Sequence, residues 1–303
     1  VELNTGSART LSGFVSFVQE AYPARHTALV LWGSGSGYRA ISVDDGAGAD
    51  PLLTAELSEA LESQTLDVVA LDLAFGAQLE IAYELRAKAS QLIASQQAVS
   101  LDGWEYDLLL ETLAADPEGP DAFRRAAISA FAAERASTPG ACISAIDLAQ
   151  VETVSEALSG LSTALYEYAG TNRRRNEVRS LLFGSVEDFY RTPGDLNLDL
   201  GDLATQVAGA YPGTSQAAEQ LSEAVSDAVV ESWSAPGANE RANGLSVHFI
   251  PIDDSGYAFP PHDAAYFAGR IGPAPPAFVS VSEWVPNDID RKGLLYRLWY
   301  ESL

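Results

Sequence analysis

Residues 27–38 read Thr27-Ala28-Leu29-Val30-Leu31-Trp32-Gly33-Ser34-Gly35-Ser36-Gly37-Tyr38. A short apolar run that breaks into alternating glycines predicts a buried strand ending in a turn. A second run, Val68-Val69-Ala70-Leu71-Asp72-Leu73-Ala74-Phe75-Gly76, has the same character. It leads into Leu79-Glu80-Ile81-Ala82-Tyr83-Glu84-Leu85, whose apolar residues recur at helical spacing. Between the two runs, after Asp50-Pro51, a helix is expected over 52–63 with Leu53, Leu57 and Leu61 in steps of four. Strand, helix, strand punctuated by Gly and Pro predicts a parallel sheet with crossover helices.

The glycines fit neither of two familiar loops. Tyr38 stands where a dinucleotide fingerprint needs its third glycine, and 39–43 reads as extended chain rather than a helix start. Neither Ser34 nor Ser36 is centred in Gly-x-Ser-x-Gly, so no nucleophile elbow is present in this run.

Together the two runs resemble the clostripain family of cysteine peptidases. In that family the first strand ends in Leu-Trp-Asn/Asp-His-Gly-Ser-Gly-Trp. The second ends in Phe-Asp-Ala-Cys-Leu-Met before a helix reading Val-Glu-Val-Ala-Tyr-Glu-Leu. Laid on without gaps, the family's histidine falls on Ser34 and its nucleophilic cysteine on Ala74. Further segments follow in the family's order. Ser100-Leu101-Asp102-Gly103-Trp104-Glu105-Tyr106-Asp107 resembles its Gly-Asp-Gly-Trp-Pro-Tyr-Asp loop, and Ser144-Ala145-Ile146-Asp147-Leu148 a strand outside its active site. Leu198-Asp199-Leu200-Gly201-Asp202-Leu203-Ala204 and Asn243-Gly244-Leu245-Ser246-Val247-His248-Phe249-Ile250-Pro251 match two later segments.

The resemblance implies a caspase-like α/β fold: a three-layer αβα sandwich with a mostly parallel central sheet and a C-terminal strand and loop extension. It divides the chain into an α/β domain over 1–235 and an extension over 236–303 packed on it. That extension is rich in proline and in aromatics: Tyr257, Phe259, Tyr266, Phe267, Trp284, Tyr296 and Trp299. Family members carry a strand–helix–strand unit ahead of the point where this sequence starts, so an open sheet edge is expected. In the opening segment, Phe14, Phe17 and Val18 share one helical face, with Asn4 or Thr5 as cap. Further amphipathic helices are expected over 108–113, 122–135, 148–169 and 215–233.

A cysteine peptidase needs a thiolate to attack the carbonyl and an imidazole to ionise it and protonate the leaving amine. Alanine has no heteroatom, and a serine hydroxyl cannot act as a general base near neutral pH. The chain holds one cysteine, Cys142, and three histidines, His26, His248 and His262. Cys142 lies on an apolar, strand-like segment and reads as a buried, inert thiol. The expected function is therefore that of a catalytically inactive homologue acting by binding a peptide or protein. The rival reading is an active hydrolase cleaving after Arg or Lys with an atypical nucleophile, Ser34 or Cys142.

Asp72, two positions before Ala74, is in register with the aspartate that gives the family its preference for basic side chains. Gly35, Ser36 and Trp104 are the other expected ligand-binding positions, and ligands with basic side chains the expected partners. No cofactor is expected; calcium at Asp44, Asp45 and Asp50 is the one candidate, a crowd of carboxylates around flexible glycines. Arg173, Arg174, Arg175 and Arg179 form the sole basic cluster and read as surface ion-pairing groups.

With 47% apolar residues in 303 the chain can bury a large core, and its formal charge of −24 disfavours nucleic acid and anionic lipid. No apolar run is long enough to cross a membrane. A single cysteine fits an exported, periplasmic or surface-anchored bacterial protein, which is the expected location.

Overall fold

The structure is a computed structural model that describes residues 2–117, 119–190 and 196–249. Its centre is a five-stranded sheet of β1 (Ala28–Trp32), β4 (Val68–Asp72), β5 (Gln91–Ala94), β6 (Cys142–Asp147) and β9 (Val229–Ser234), in the order β1-β4-β5-β6-β9. β1, β4 and β5 pair in parallel, while β6 is antiparallel to both its neighbours, so all strands but β6 point the same way. β4 is buried along its whole length, as a central strand covered on both faces must be.

Alternation along the strands separates two cores. Val69, Leu71, Leu92 and Ile146 face α1 (Ala8–Ala21), α2 (Thr54–Ala60), α3 (Leu79–Leu85) and α6 (Val151–Tyr168). Val68, Ala70, Ile93, Ile143 and Ala145 face α4 (Tyr106–Ala115) and α5 (Gly119–Arg135). The result is the expected three-layer sandwich with a mostly parallel sheet. A hairpin of β2 (Ser42–Asp44) and β3 (Asp50–Leu52) interrupts the crossover from β1 to β4. The remaining helices, α7 (Asn172–Gly184), α8 (Leu200–Ala210) and α9 (Ser215–Ala228), complete the first layer's core.

Three expectations change. The helix expected over 52–63 is shorter, because Leu52 belongs to the hairpin; Leu57 and Leu61 are fully buried as the spacing implied. The helix expected over 215–233 stops at Ala228, and the β-branched Val229 and Val230 open β9 instead, since pairing with β6 satisfies their backbone. On α1 the buried face is Leu11 and Val15, whereas Phe14 and Phe17 stand in solvent; Ser7 occupies the N-cap position, and Asn4 and Thr5 bond to the hairpin. The first strand of the expected extension, β10 (Ser246–Phe249), places Val247 in the same core as Val69 and Leu71. It joins β7 (Asp188–Tyr190) and β8 (Leu196–Asp199) in a separate antiparallel sheet of order β10-β8-β7. The part of the expected C-terminal extension beyond Phe249, with its aromatics and His262, lies outside the described residues.

Candidate functional site

β1 and β4 run in parallel register from Ala28↔Val68 to Trp32↔Asp72, so their C-terminal ends finish level. That is the edge at which open α/β sheets gather ligands. Ser34 and Ala74 stand on the two turns that leave these ends. The turns are stitched together by N–H donation from Gly33 to the Asp72 carbonyl (3.4 Å) and from Gly37 to the Ala74 carbonyl (3.3 Å). A Cβ at Gly35 would come within 2.5 Å of Leu73 Cδ1 and 3.0 Å of the Ala74 carbonyl oxygen, so the approach requires glycine. Ser34 is exposed and Ala74 half-buried.

The residue after Ala74 carries backbone strain. Phe75 has φ +60°, a left-handed conformation uncommon for a bulky side chain. Its N–H donates to the Gln97 carbonyl (3.1 Å), and its ring packs with Cys142 and Phe189 in a small cluster that Ala74 flanks. Cys142 is thus near the turn but buried. Its Sγ lies 3.8 Å from Ser95 Oγ, and burial pushes the thiol pKa up, which favours the un-ionised form.

Asp72 ends β4 with its side chain 1% exposed. Its Oδ2 accepts from the Trp104 N–H (2.7 Å) and the Tyr106 hydroxyl (2.6 Å), which fastens the 100–106 loop over the strand end. Oδ1 is buried and makes no hydrogen bond among the described residues. Gly103 adopts φ +80°; a Cβ there would meet Asp72 Oδ2 and Trp32 Nε1, both at 3.1 Å. Arg135 Nη2 donates to the Gly103 carbonyl (3.1 Å) and pairs with Glu134 (2.8 Å). Burial raises the Asp72 pKa, opposed by the Tyr106 and Trp104 hydrogen bonds and the Arg135 charge. Trp104 is buried against Phe131. Its backbone, rather than its ring, meets the carboxylate.

The sequence profile of the Clostripain family, Peptidase_C11, matches residues 1–255. The chain belongs to the clostripain family. No curated protein matches it. Among solved structures it is similar to an inactive zymogen C11 protease from Parabacteroides distasonis, with 19% identity, 82% of this chain and 70% of that chain covered, and a TM-score of 0.63. It is also similar to a secreted C11 cysteine protease from Bacteroides thetaiotaomicron in complex with an irreversible peptide inhibitor, at 18% identity, 84% and 74% coverage and a TM-score of 0.66. At such identities the likeness speaks for the fold.

Ser34 and Ala74, where the family's histidine and cysteine are expected to fall, stand on these two adjoining turns. The structure brings Asp72 to Trp104, and Gly35 to Ala74. The Ser36 N–H donates to the Ala40 carbonyl (2.8 Å), within its own turn. The acidic turn has a different use from the one its composition suggests. Asp44 accepts from Thr5 N–H and hydroxyl and from the N–H groups of Gly46 and Ala47; Asp50 accepts from Asn4. These carboxylates tie the N-terminal segment to the hairpin, and among the described residues no group of three or more His, Cys, Asp or Glu side chains is placed to hold a metal ion. In the basic cluster, Arg175 is buried, Arg173 pairs with Glu177 (2.9 Å) and Arg174 lies over the Tyr168 ring.

A buried polar chain behind the glycine turn had no signal in the sequence, because its members are far apart in it. Gln78 accepts from the Tyr38 N–H (2.7 Å) and donates to Asn197 Oδ1 (2.6 Å), which also contacts His248 Nδ1 (3.0 Å). Arg39 Nη2, a donor only, sits 3.2 Å from His248 Nε2, so Nε2 accepts and Nδ1 carries the proton. The His248 N–H donates to Glu80 (2.9 Å). This chain binds the small sheet to the turn that carries Ser34.

Burial, followed by the Arg39 charge, holds the His248 pKa well below its usual 6.5. The unfolded chain therefore binds a proton at pH values where the folded protein does not. The stability contributed by neutral His248 is complete above about pH 6.5 and is lost as pH falls below it, at up to about 1.4 kcal/mol per pH unit. Melting temperature is expected to fall more steeply from about pH 7 to pH 5 for the natural protein than for His248→Gln. Equal slopes would show that His248 takes up its proton without a cost to the fold.

Proposed function

We propose that this clostripain-family chain does not cut peptides and acts by binding a peptide or protein that presents basic side chains. The observation that carries the reading is the pair of intact strand-end turns that hold Ser34 and Ala74, neither able to perform its step of the covalent mechanism. The buried, un-ionised Cys142 supports it, since a nucleophile must be a thiolate in reach of substrate. His26 bonds to Asp67, ahead of β4 at the opposite end of the sheet.

For the ligand, Asp72 supplies one carboxylate oxygen rather than two. Oδ2 is engaged by the 100–106 loop, which leaves Oδ1, buried in this structure, to be uncovered before it can meet a guanidinium or ammonium group. The contact is therefore a single charge-assisted hydrogen bond and not the bidentate pair a free carboxylate could make. The strongly acidic chain attracts such cations and repels nucleic acid. Action outside the cytoplasm is supported by the secreted relative, and no helix among the described residues is long and apolar enough to cross a membrane.

Fluorogenic Arg and Lys peptides test the first half. No hydrolysis above a buffer blank is expected; turnover that survives repurification and disappears in Ser34→Ala or Cys142→Ala would establish the rival, an active hydrolase. Calorimetry with an Arg-containing peptide tests the second. Asp72→Asn, with its fold checked by circular dichroism, is expected to weaken binding about five- to tenfold. Unchanged affinity would leave Asp72 as the clasp of the 100–106 loop alone.

A further inference from the structure

Where the 100–106 loop closes on the end of β4, four polar atoms are left without partners. Asp72 Oδ1, Trp104 Nε1, Glu134 Oε2 and Arg135 Nε are buried and make no hydrogen bond among the described residues. They share one neighbourhood. The Trp104 N–H meets Asp72 Oδ2 (2.7 Å), Arg135 Nη2 meets the Gly103 carbonyl (3.1 Å), and Glu134 pairs with Arg135 (2.8 Å). Two of the four are acceptors and two are donors, and water or a ligand could satisfy either kind. Buried polar groups are nearly always partnered, and one left alone raises the free energy of the arrangement that buries it. The closed loop is that arrangement.

The parts of the loop are not equally fixed. The Trp104 ring, 4% exposed, packs edge-on to Phe131 of α5 and anchors its end of the loop in the core. The rest is held over Asp72 by the Tyr106 hydroxyl on Oδ2 (2.6 Å) and by the Arg135 bond to the Gly103 carbonyl. Burial and the neighbouring carboxylate push the Tyr106 pKa up, so the hydroxyl keeps its proton and donates. Gly103, at φ +80°, is the one residue of the loop in a left-handed conformation. A Cβ there would press on Asp72 Oδ2 and Trp32 Nε1.

We infer that residues 100–103, latched by Tyr106, form a lid over Asp72 that opens about Gly103 with the Trp104 ring as its fixed point. This rests on the reading that Asp72 meets a basic group of the ligand, and it assigns the regulation of that contact. Closed, the lid keeps Oδ1 out of reach. Opening takes the Tyr106 hydroxyl off Oδ2 and the Gly103 carbonyl off Arg135, while the Trp104 N–H stays on Oδ2. The uncovered Oδ1 then accepts from a guanidinium or ammonium group. A ligand that binds only the open state has an apparent Kd equal to its intrinsic Kd divided by the open fraction. Tyr106 therefore lowers affinity, the opposite of what a ligand-contacting residue does.

Two variants of the full chain test the lid by different routes. Tyr106→Phe deletes the latch hydroxyl and keeps the ring, and Gly103→Ala adds a Cβ that presses the loop off Asp72. In calorimetry each is expected to lower the Kd for an Arg-containing peptide about five- to tenfold, whereas Asp72→Asn raises it. Solvent exchange of the Trp104 indole N–H reads the lid without peptide, by NMR with the signal assigned through Trp104→Phe. It is expected to be about threefold or more faster in both variants. Equal exchange in the natural protein and both variants overturns the lid, whatever the peptide does. A Kd unchanged or raised in both variants, with Asp72→Asn still weakening binding, also overturns it and leaves Asp72 as the ligand contact. If no version binds the peptide, the reading of Asp72 as a ligand group fails, and the indole exchange alone decides the lid.

Discussion

Ser34→His combined with Ala74→Cys is expected to give the protein a reactive thiol that the natural chain lacks. The single change Ala74→Cys places a thiol on the turn after β4, near its free pKa of about 8.5, so at pH 6 well under 1% is thiolate. An imidazole on the neighbouring turn, held in place by the bonds from Gly33 and Gly37 to Asp72 and Ala74, would stabilise the thiolate and move most of the thiol into the reactive form. Alkylation by a peptidyl ketone at pH 6 is expected to be on the order of 10²-fold faster in the double variant than in Ala74→Cys. The natural protein, whose one thiol is buried with its pKa raised, supplies the background. The strained Phe75 and the close-approach Gly35 are already in place, so no backbone rearrangement is required. Equal rates in the single and double variants would mean that the two turns do not bring positions 34 and 74 within reach of each other.

Asp199→Ala is expected to cause the largest loss of stability of any single truncation discussed. Asp199 is fully buried and accepts from the Asp202 N–H (2.8 Å), the Asn243 N–H (2.6 Å), Asn243 Nδ2 (2.9 Å) and Gln96 Nε2 (3.0 Å). It caps α8 and at the same time fastens the 241–245 loop to the end of β5. Burial raises its pKa, so the carboxylate is retained against a desolvation cost that those donors offset. Alanine would leave buried donors without acceptors, each worth about 1–3 kcal/mol, and remove a cap worth about 1 kcal/mol. A net loss of about 3–5 kcal/mol is expected, or roughly 10 °C in melting temperature for a domain of this size. Urea unfolding that returns less than about 1 kcal/mol would show that water replaces the carboxylate.

Much of this architecture is visible in local sequence. The apolar runs before Gly33 and Ala74 and the helical spacing after Gly76 specify a parallel βαβ unit, because each pattern acts over a few residues. The same locality explains where the reading failed. Phe14 and Phe17 share a helical face, but only the position of α2 decides that Leu11 and Val15 are the residues that face the core. Val229 and Val230 continue a helical pattern, and only β6 alongside them makes a strand the better solution.

At the candidate site the division is the same. Sequence alone determined that positions 34 and 74 hold serine and alanine, because the motifs around them are short and contiguous. It could not determine what Asp72 touches: Trp104 and Tyr106 are remote in the chain, and their approach depends on how the 100–106 loop closes over the strand end. The buried line from Tyr38 through Gln78 and Asn197 to His248 and Arg39 was equally beyond it. A hydrogen bond forms between groups that packing brings within about 3 Å, whatever their separation along the chain. Apolar periodicity chooses which elements form; only the assembled tertiary structure chooses which polar groups meet.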